Sequence, residues 1–170
     1  MAENSGVEAH KQSFSGLSGL FNTVLSDDLQ DQHLTYQALP SRSHIIWNVG
    51  HVAWAFDQVT RPALGLDPVL PETYVEMFAM GSQPVADRAK YPALDELRQA
   101  VGTSIDSALS RLDSLTDSDL AKPLPDSSPV RELFPTLGAL LGATAFHTGY
   151  HAGQIALLRR VQGLPSGLGM

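Results

Sequence analysis

The sequence predicts an all-α protein, a four-helix bundle formed by a single domain over residues 1–170. Four segments carry apolar residues at the three- and four-residue spacing of a buried helix face, and no segment alternates as a strand would. Hydrophobic residues make up 43% of the chain and charged residues 17%, which is typical of a folded globular protein. A chain of 170 residues can bury a sizeable core without covalent cross-links.

The first two helices are predicted in the N-terminal third. The first covers about residues 6–26, where Phe, Leu and Val recur at helical spacing. The second covers about residues 43–60, with Ser41 or Ser43 as the expected N-cap. We expect this helix to end before Pro62, because proline lacks the N–H that a helix interior needs.

The third and fourth helices have the clearest ends. The third lies within residues 91–115, where apolar residues follow steps of three and four without a break, and Pro92 suits its first turn. The fourth covers about residues 136–162. Basic residues in its last turn complement the helix dipole, and Gly163 can adopt the left-handed conformation that ends a helix.

A long connector separates the second and third helices. It covers about residues 61–91, contains four prolines and includes a predicted short helix at "PETYVEMFAM", with Pro71 at its first position. Because a segment of that length can cross the whole bundle, the two helices that it joins need not be antiparallel neighbours. The connector therefore favours an up-down-down-up order.

Composition excludes several classes of protein. The net charge of −7 argues against a nucleic-acid-binding protein, and the absence of cysteine excludes disulfides, cysteine metal ligands and a cysteine nucleophile. The first residues show no signal-peptide pattern, so the cytoplasm is the expected compartment. Residues 133–158 carry no charged side chain but include two histidines, and no second span would shelter them. We expect a buried bundle helix there and no membrane association.

The stretch "AFHTGYHAGQIALLRR" places His147 and His151 four residues apart. Residues at this spacing share one helix face, so both imidazoles can face one ion. Thr148 stands where the HExxH motif of zinc proteases has its glutamate, which argues against peptidase activity. The alternative is a pair of core histidines that form hydrogen bonds to their neighbours.

A third imidazole, His51, lies near the middle of the second predicted helix. If that helix packs beside the fourth, the three imidazoles can meet at one depth, a ligand set that suits Zn, Ni, Fe or Cu and leaves positions open for water or substrate. Such an ion lowers the pKa of a bound water or holds a thiol as thiolate. Asn48 and Gln154 could orient the ligand rings, and Trp54 and Tyr150 could line a pocket. Ordinary core contacts are the alternative for all four.

Other polar residues receive simpler interpretations. His44 lies two helical turns before His51, too far along the axis to be a fourth ligand, so we expect it at the surface or at the mouth of a pocket. Arg159 and Arg160 are expected to complement the helix dipole, with binding of an anionic substrate as the alternative. Glycines along the fourth helix could pack within one subunit or form an oligomer contact; they are Gly138, Gly142 and Gly149.

The motifs "SHIIWNVGHVAW" and "FHTGYHAGQIALLRRVQGLP" resemble the two signature regions of the DinB-like, or YfiT-like, superfamily of metal-binding bundles, which is distinct from the DNA polymerase of that name. The resemblance implies an up-down-down-up bundle, a homodimer, and a triad of His51, His147 and His151 that binds Zn or Ni, with Fe or Mn as further candidates. It also implies a small-molecule substrate. Some relatives are transferases or isomerases that use mycothiol, bacillithiol or glutathione, and others are described only as metal-dependent hydrolases.

Three functional hypotheses follow. The first is a metal-dependent enzyme that activates either a low-molecular-weight thiol or a water. Thiol transfer is favoured because the H-T-G-Y-H segment has no Asp or Glu to serve as a base for water. The second is a non-catalytic metal- or ligand-binding protein of a stress response, and the third is a structural bundle whose histidines bind no metal.

Overall fold

The computed structural model describes residues 5–169, and their secondary structure is helical. Within this range we find no strand, only an isolated β-bridge between Pro123 and Thr136. A five-residue π turn (Phe56–Thr60) follows the third helix, and a short 3₁₀ turn (Arg88–Lys90) lies in the connector. The α-helices, in chain order, are α1 (Ser5–Val24), α2 (Asp31–Leu34), α3 (Ile45–Ala55), α4 (Arg61–Ala63), α5 (Glu72–Phe78), α6 (Leu94–Leu112), α7 (Asp117–Leu120) and α8 (Leu137–Val161).

The four long helices form the predicted bundle. Each of α1 and α3 packs against both α6 and α8, so α1 and α3 lie on one diagonal of the bundle. Gly149 faces Leu17 near the middle of α1, and Arg159 reaches the Val24 carbonyl at its end, so α1 and α8 run parallel.

The direction of α3 follows from two contacts with α8. Asn48 binds His151, and Thr60, beyond the end of α3, binds Thr144, so the two helices are antiparallel. Arg111 near the end of α6 donates to the Leu64 carbonyl just past α4, so α3 and α6 run the same way. The order is therefore up-down-down-up, as the long connector predicted.

The boundaries of α3 differ from the prediction at both ends. Its N-cap is His44, whose Nδ1 accepts from the Trp47 backbone N–H, and neither Ser41 nor Ser43 has this role. The helical path also continues past Pro62 through the π turn into α4. Proline is tolerated there because it occupies the first turn of α4, where its missing N–H is no loss.

The other predicted ends lie close to the observed ones. Thr136 caps α8 through its side chain, which accepts from the Ala139 N–H. Gly163 follows the helix with a φ of +78°, in the left-handed region that favours glycine. Pro92 precedes α6 by two residues and so lies outside its first turn.

The core lies between the four long helices. Phe14 and Phe56 contact edge to face across α1 and the π turn, with ring centroids 5.7 Å apart. Aliphatic side chains of every long helix belong to the same core and are fully buried, including Val24, Ile45, Val49, Leu97, Ile105, Leu141 and Ile155. Burial of such side chains is the main stabilising contribution to the bundle. Within residues 5–169 no helix combines the length and the apolarity needed to cross a membrane.

Candidate metal centre

Three imidazoles from two helices meet in the interior of the bundle. His51 comes from α3, and His147 and His151 come from α8. One ring nitrogen of each lies within 4.8 Å of the corresponding atoms of the other two. The ring centroids are 4.5 to 5.1 Å apart. The antiparallel packing of α3 against α8 thus brings together the three histidines that the sequence singled out.

The Phe78 backbone carbonyl holds the ring of His51. His51 Nδ1 lies 2.7 Å from this oxygen. A carbonyl oxygen can only accept, so Nδ1 carries the proton and Nε2 of the neutral ring keeps its lone pair. The contact depends on Gly50, because a Cβ at that position would lie 2.2 Å from the Phe78 ring.

The Asn48 side chain holds the ring of His151 in the same tautomer. Asn48 Nδ2 donates to the His44 carbonyl at 2.9 Å, which turns its Oδ1 toward His151 Nδ1 at 2.6 Å. Oδ1 is an acceptor, so the His151 proton lies on Nδ1 and its Nε2 is unprotonated. The Phe78 carbonyl and the Asn48 side chain therefore both hold a ring with its proton on Nδ1 and its Nε2 unprotonated.

The Nε2 atoms of His147 and His151 are 3.2 Å apart. Because His151 Nε2 has no proton, this contact needs either an N–H from His147 or a cation shared by the two rings. Burial lowers the pKa of His147 to about 4, and the nearby His51 adds to the effect. Burial also lowers the pKa of His151 to about 3, with contributions from His147 and His51. All three rings are thus neutral near pH 7, the form in which imidazole binds metals.

Two indoles enclose the His51 ring. Trp47 stacks on one side with centroids 4.6 Å apart and planes inclined by 10°, and Trp54 stacks at 5.3 Å and 17°. Trp54 Nε1 is buried and has no hydrogen-bond partner among residues 5–169. The Trp54 ring thus covers His51, and its predicted role as a pocket wall stays a prediction.

The remaining predicted residues lie near the cluster, in different roles. Gln154 donates through Nε2 to the Tyr150 hydroxyl at 2.7 Å, and half-exposed Tyr150 packs edge-on against His151. His44 is fully buried, so its predicted place at the surface or at a pocket mouth is wrong. It is buried because its Nε2 binds the Val85 carbonyl at 3.0 Å while its Nδ1 caps α3.

Two arginines that the sequence assigned to the helix dipole differ from each other. Arg160 is exposed, as a dipole partner would be. Arg159 is buried and binds both carboxylate oxygens of Asp28, with the Val24 and Pro165 carbonyls as further acceptors. Its role is to join the ends of α1 and α8.

Sequence reasoning missed the group that sets the His51 tautomer. The acceptor for His51 is the Phe78 main-chain carbonyl, which any residue type would provide, so no sequence signal marks it. Gly50, beside His51, is the available signal, because a glycine inside an apolar helix indicates a close approach.

The donor set fits a divalent transition metal. Three neutral imidazoles with no carboxylate suit Zn, Ni, Cu or Fe. The 3.2 Å between two Nε2 atoms is close to the spacing of about 3.3 Å that tetrahedral bonds of ~2.0–2.1 Å require. An open cleft of about 430 Å³ borders the cluster at His151.

A comparison with curated proteins found no match. A family model described as the DinB superfamily matches residues 22–155, which include α3, the connector, α6 and most of α8. The match covers all three histidines. The chain therefore belongs to the DinB superfamily.

Proposed function

We propose that this chain binds one divalent ion, Zn or Ni, through His51, His147 and His151, and that it is a thiol-dependent S-transferase acting on a small molecule. The observation that carries the proposal is the convergence of the three rings, with the Nδ1 protons of His51 and His151 engaged elsewhere. Imidazole nitrogens favour Zn, Ni, Cu and Fe, whereas Mn prefers oxygen ligands. A ring whose other nitrogen donates a hydrogen bond is also a more basic ligand.

When bound, such an ion supplies Lewis-acid chemistry that favours the deprotonated form of a thiol or a water. The residues of the chain provide the setting for this chemistry. Trp47 and Trp54 cover His51 on both sides and exclude solvent from its faces. Phe78 and Asn48 fix the ring orientations, so that little reorganisation is needed on ligand binding.

The cleft beside His151 favours a thiol over water as the activated group. Its lining contains no Asp or Glu that could accept a proton from water. A thiol loses its proton on coordination and needs no protein base. Trp47, Tyr150 and Gln154 line the same cleft and can contact the organic part of a thiol or of an electrophile.

The test is a conjugation assay that pairs low-molecular-weight thiols with a panel of electrophiles, using Zn-loaded and Ni-loaded protein. We expect product with at least one pair, lost after chelation and lost in His147→Ala. Ester or amide hydrolysis without a thiol would replace the transferase by a hydrolase. A metal-loaded protein without turnover across both panels would support a non-catalytic binding protein of the stress-response kind and contradict the enzyme.

We also propose that the chain forms a homodimer through α8. Four apolar side chains of this helix are exposed at helical spacing, and they define the α8 stripe: Phe146, Tyr150, Leu157 and Val161. Phe146 and Leu157 are 76% and 59% exposed, unusual values for large apolar residues in one row. A Cβ added at Gly142 or at Gly153 would meet no atom within 4 Å, which leaves room for a second backbone.

Of the three glycines considered from the sequence, only Gly142 is open in this way. A Cβ at Gly138 would contact Leu120, and one at Gly149 would reach Leu17, both within the chain. Light scattering should give a dimer for the wild type and a monomer for Phe146→Lys. Leu133→Lys, at an exposed apolar residue outside the α8 stripe, is the control and should remain a dimer. A wild-type monomer would overturn the dimer.

A further inference from the structure

The cleft that borders His151 is built from two loops and the face of α8. Ser41 and Arg42 precede α3, Ser82 and Pro84 follow α5, and Tyr150 and Gln154 come from α8. Arg42 is the only permanently charged residue in the lining. The chain as a whole carries a net charge of −7, so the charge of this cleft is opposite in sign to the net charge of the chain.

Three hydrogen bonds fix the walls of the cleft. Gln37 Nε2 donates to the Arg42 carbonyl at 2.8 Å and to the Pro84 carbonyl at 3.2 Å, which joins the two loops. Trp47 Nε1 donates to Ser82 Oγ at 3.0 Å. The backbone that carries Arg42 is therefore tied to the opposite wall before any ligand arrives.

The local backbone of this loop has an uncommon conformation. Ser41 has a φ of +58° and is the only non-glycine residue with positive φ in residues 5–169. Such a conformation costs of order 1 kcal/mol for a serine and is frequent at ligand-binding sites. It lies directly before Arg42 and sets the course of the chain at the edge of the cleft.

The Arg42 guanidinium forms no ion pair within residues 5–169. Most other arginines of the chain do: Arg61, Arg88, Arg98, Arg131 and Arg159 each bind an Asp. An unpaired guanidinium in a concave, acid-free lining is a binding group for carboxylates, which it can contact with two parallel N–H donors. Arg42 is exposed, so its guanidinium is accessible to a ligand in the cleft.

We propose that this cleft selects small molecules that carry a carboxylate, with the carboxylate at Arg42 and the other end of the molecule at the histidine cluster. The placement of the other end at the histidine cluster rests on the proposed function, whereas the placement of the carboxylate at Arg42 does not. Arg42 is a specificity-determining residue in this arrangement, and it has no part in holding the ion.

The test compares two thiols of matched length, 3-mercaptopropionate and the uncharged 3-mercaptopropan-1-ol. Binding is followed by tryptophan fluorescence, because Trp47 lines the cleft and the only other tryptophan stacks on His51. The Zn-loaded wild type, Arg42→Gln and Arg160→Gln are titrated at low salt. Arg160 is an exposed arginine at the end of α8, outside the cleft lining, so its variant controls for the loss of one positive charge.

We expect the wild type and Arg160→Gln to bind the carboxylate about tenfold more tightly than the alcohol. Arg42→Gln should lose this preference while its affinity for the alcohol stays unchanged. A wild type without the preference, or an Arg42→Gln variant that keeps it, would overturn the proposal.

Metal content and a second titration separate this proposal from the proposed function. The metal content of each sample is measured alongside, and Arg42→Gln should hold as much Zn as the wild type. If no variant holds metal, the proposed function fails, and the same titrations on chelator-treated protein then decide the role of Arg42. A carboxylate preference there would support the cleft as a carboxylate site, and its absence would overturn it.

Discussion

Helix α8 takes part in two polar clusters whose hydrogen bonding differs. In the first, Arg159 is 1% exposed, and its guanidinium donates to both oxygens of Asp28 and to two main-chain carbonyls. Every group in this cluster finds its partner within the chain. Such an arrangement stabilises the fold and has no position left for a ligand.

The histidine cluster, two turns earlier on α8, is built in the opposite way. The Nδ1 atoms of His51 and His151 have acceptors, whereas Nε2 of His151 faces Nε2 of His147, and one ring nitrogen of each of the three histidines lies within 4.8 Å of the others. Because His151 Nε2 has no proton, its contact with His147 Nε2 needs a proton on the His147 ring or a cation bound by both rings. The comparison teaches that a functional site is marked less by buried polarity than by the polarity that remains unsatisfied.

The largest effect that separates the two clusters is on stability. Arg159→Met removes the donor shared by Asp28 and two main-chain carbonyls, and we expect a loss of about 2–3 kcal/mol in the free energy of unfolding. Metal content should stay at the wild-type value, since no ligand is touched. Urea denaturation measures the first and plasma mass spectrometry the second.

Arg160→Met is the matched control, because Arg160 is exposed and forms no ion pair in the described part of the chain. It should change stability by less than about 0.5 kcal/mol. A metal content that fell together with stability in Arg159→Met would show that the two clusters are coupled and would break the comparison.

Gly50→Ala should affect the histidine cluster through the Phe78 carbonyl, which binds His51. The new Cβ would lie 2.2 Å from the buried Phe78 ring, so the ring must shift, and we expect the Phe78 carbonyl to lose its contact with His51. We expect a loss of about 2 kcal/mol in stability and weaker metal binding, measured by competition with a chromogenic chelator. Gly16→Ala, within α1, is the control, because nothing lies within 4 Å of its added Cβ. As a helix-interior Gly→Ala change it should raise stability by up to ~1 kcal/mol; equal losses in both variants would contradict the account.

Asn48→Leu tests the second support alone. It removes the acceptor for His151 Nδ1, and we expect metal affinity to fall about 10- to 100-fold. Asn48→Asp keeps an acceptor at the same place and should recover part of that affinity. If both variants bind metal as the wild type does, the Asn48 hydrogen bond has no role in preparing the ligand.

The smallest effect is a difference in acid sensitivity of the metal-free protein. Burial lowers the pKa of His44 to about 4 and that of His147 likewise, whereas an unfolded chain binds these protons near pH 6.5. Stability should therefore decline as pH falls from about 6.5 toward 4, because the unfolded state takes up more protons. Asp28 affects stability at lower pH, because its hydrogen bonds to Arg159 lower its pKa.

The contribution of Asp28 is fully present above its usual pKa near 3.8 and is lost as pH falls through the lowered value. Arg159→Met should remove this acid step and keep the decline that begins near pH 6.5. Urea denaturation at intervals from pH 7.5 to pH 3 measures both. Constant stability between pH 6.5 and 4 would contradict the burial of neutral histidines.

The sequence predicted the bundle because helix ends and apolar spacing are local properties. The fourth helix was placed to within one residue at each end, since Thr136 and Gly163 are strong boundary signals. The second helix was placed less well, because the π turn that leads into α4 and Pro62 contains buried Asp57, which accepts from the Val69 and Leu70 N–H groups. No local pattern predicts those contacts.

The three candidate ligand histidines could be predicted from the sequence. The groups that orient them could be predicted only in part. His147 and His151 share a face by spacing alone, and Asn48 lies one turn before His51 on the same helix. The Phe78 carbonyl reaches His51 across 27 positions of sequence, and Arg42 meets α8 only in the folded chain. The first results from the course of the connector and the second from the loop before α3, and sequence periodicity describes neither.

The most direct test of the central claim is the metal content of tag-free protein after incubation with Zn or Ni and removal of excess ion. Plasma mass spectrometry would compare the wild type with His51→Ala and His147→Ala, and with His10→Ala as a histidine control outside the cluster. We expect about one ion per chain in the wild type and in His10→Ala, and almost none in the other two. A wild type that stays free of metal would contradict the account and leave the three histidines as structural residues of the bundle.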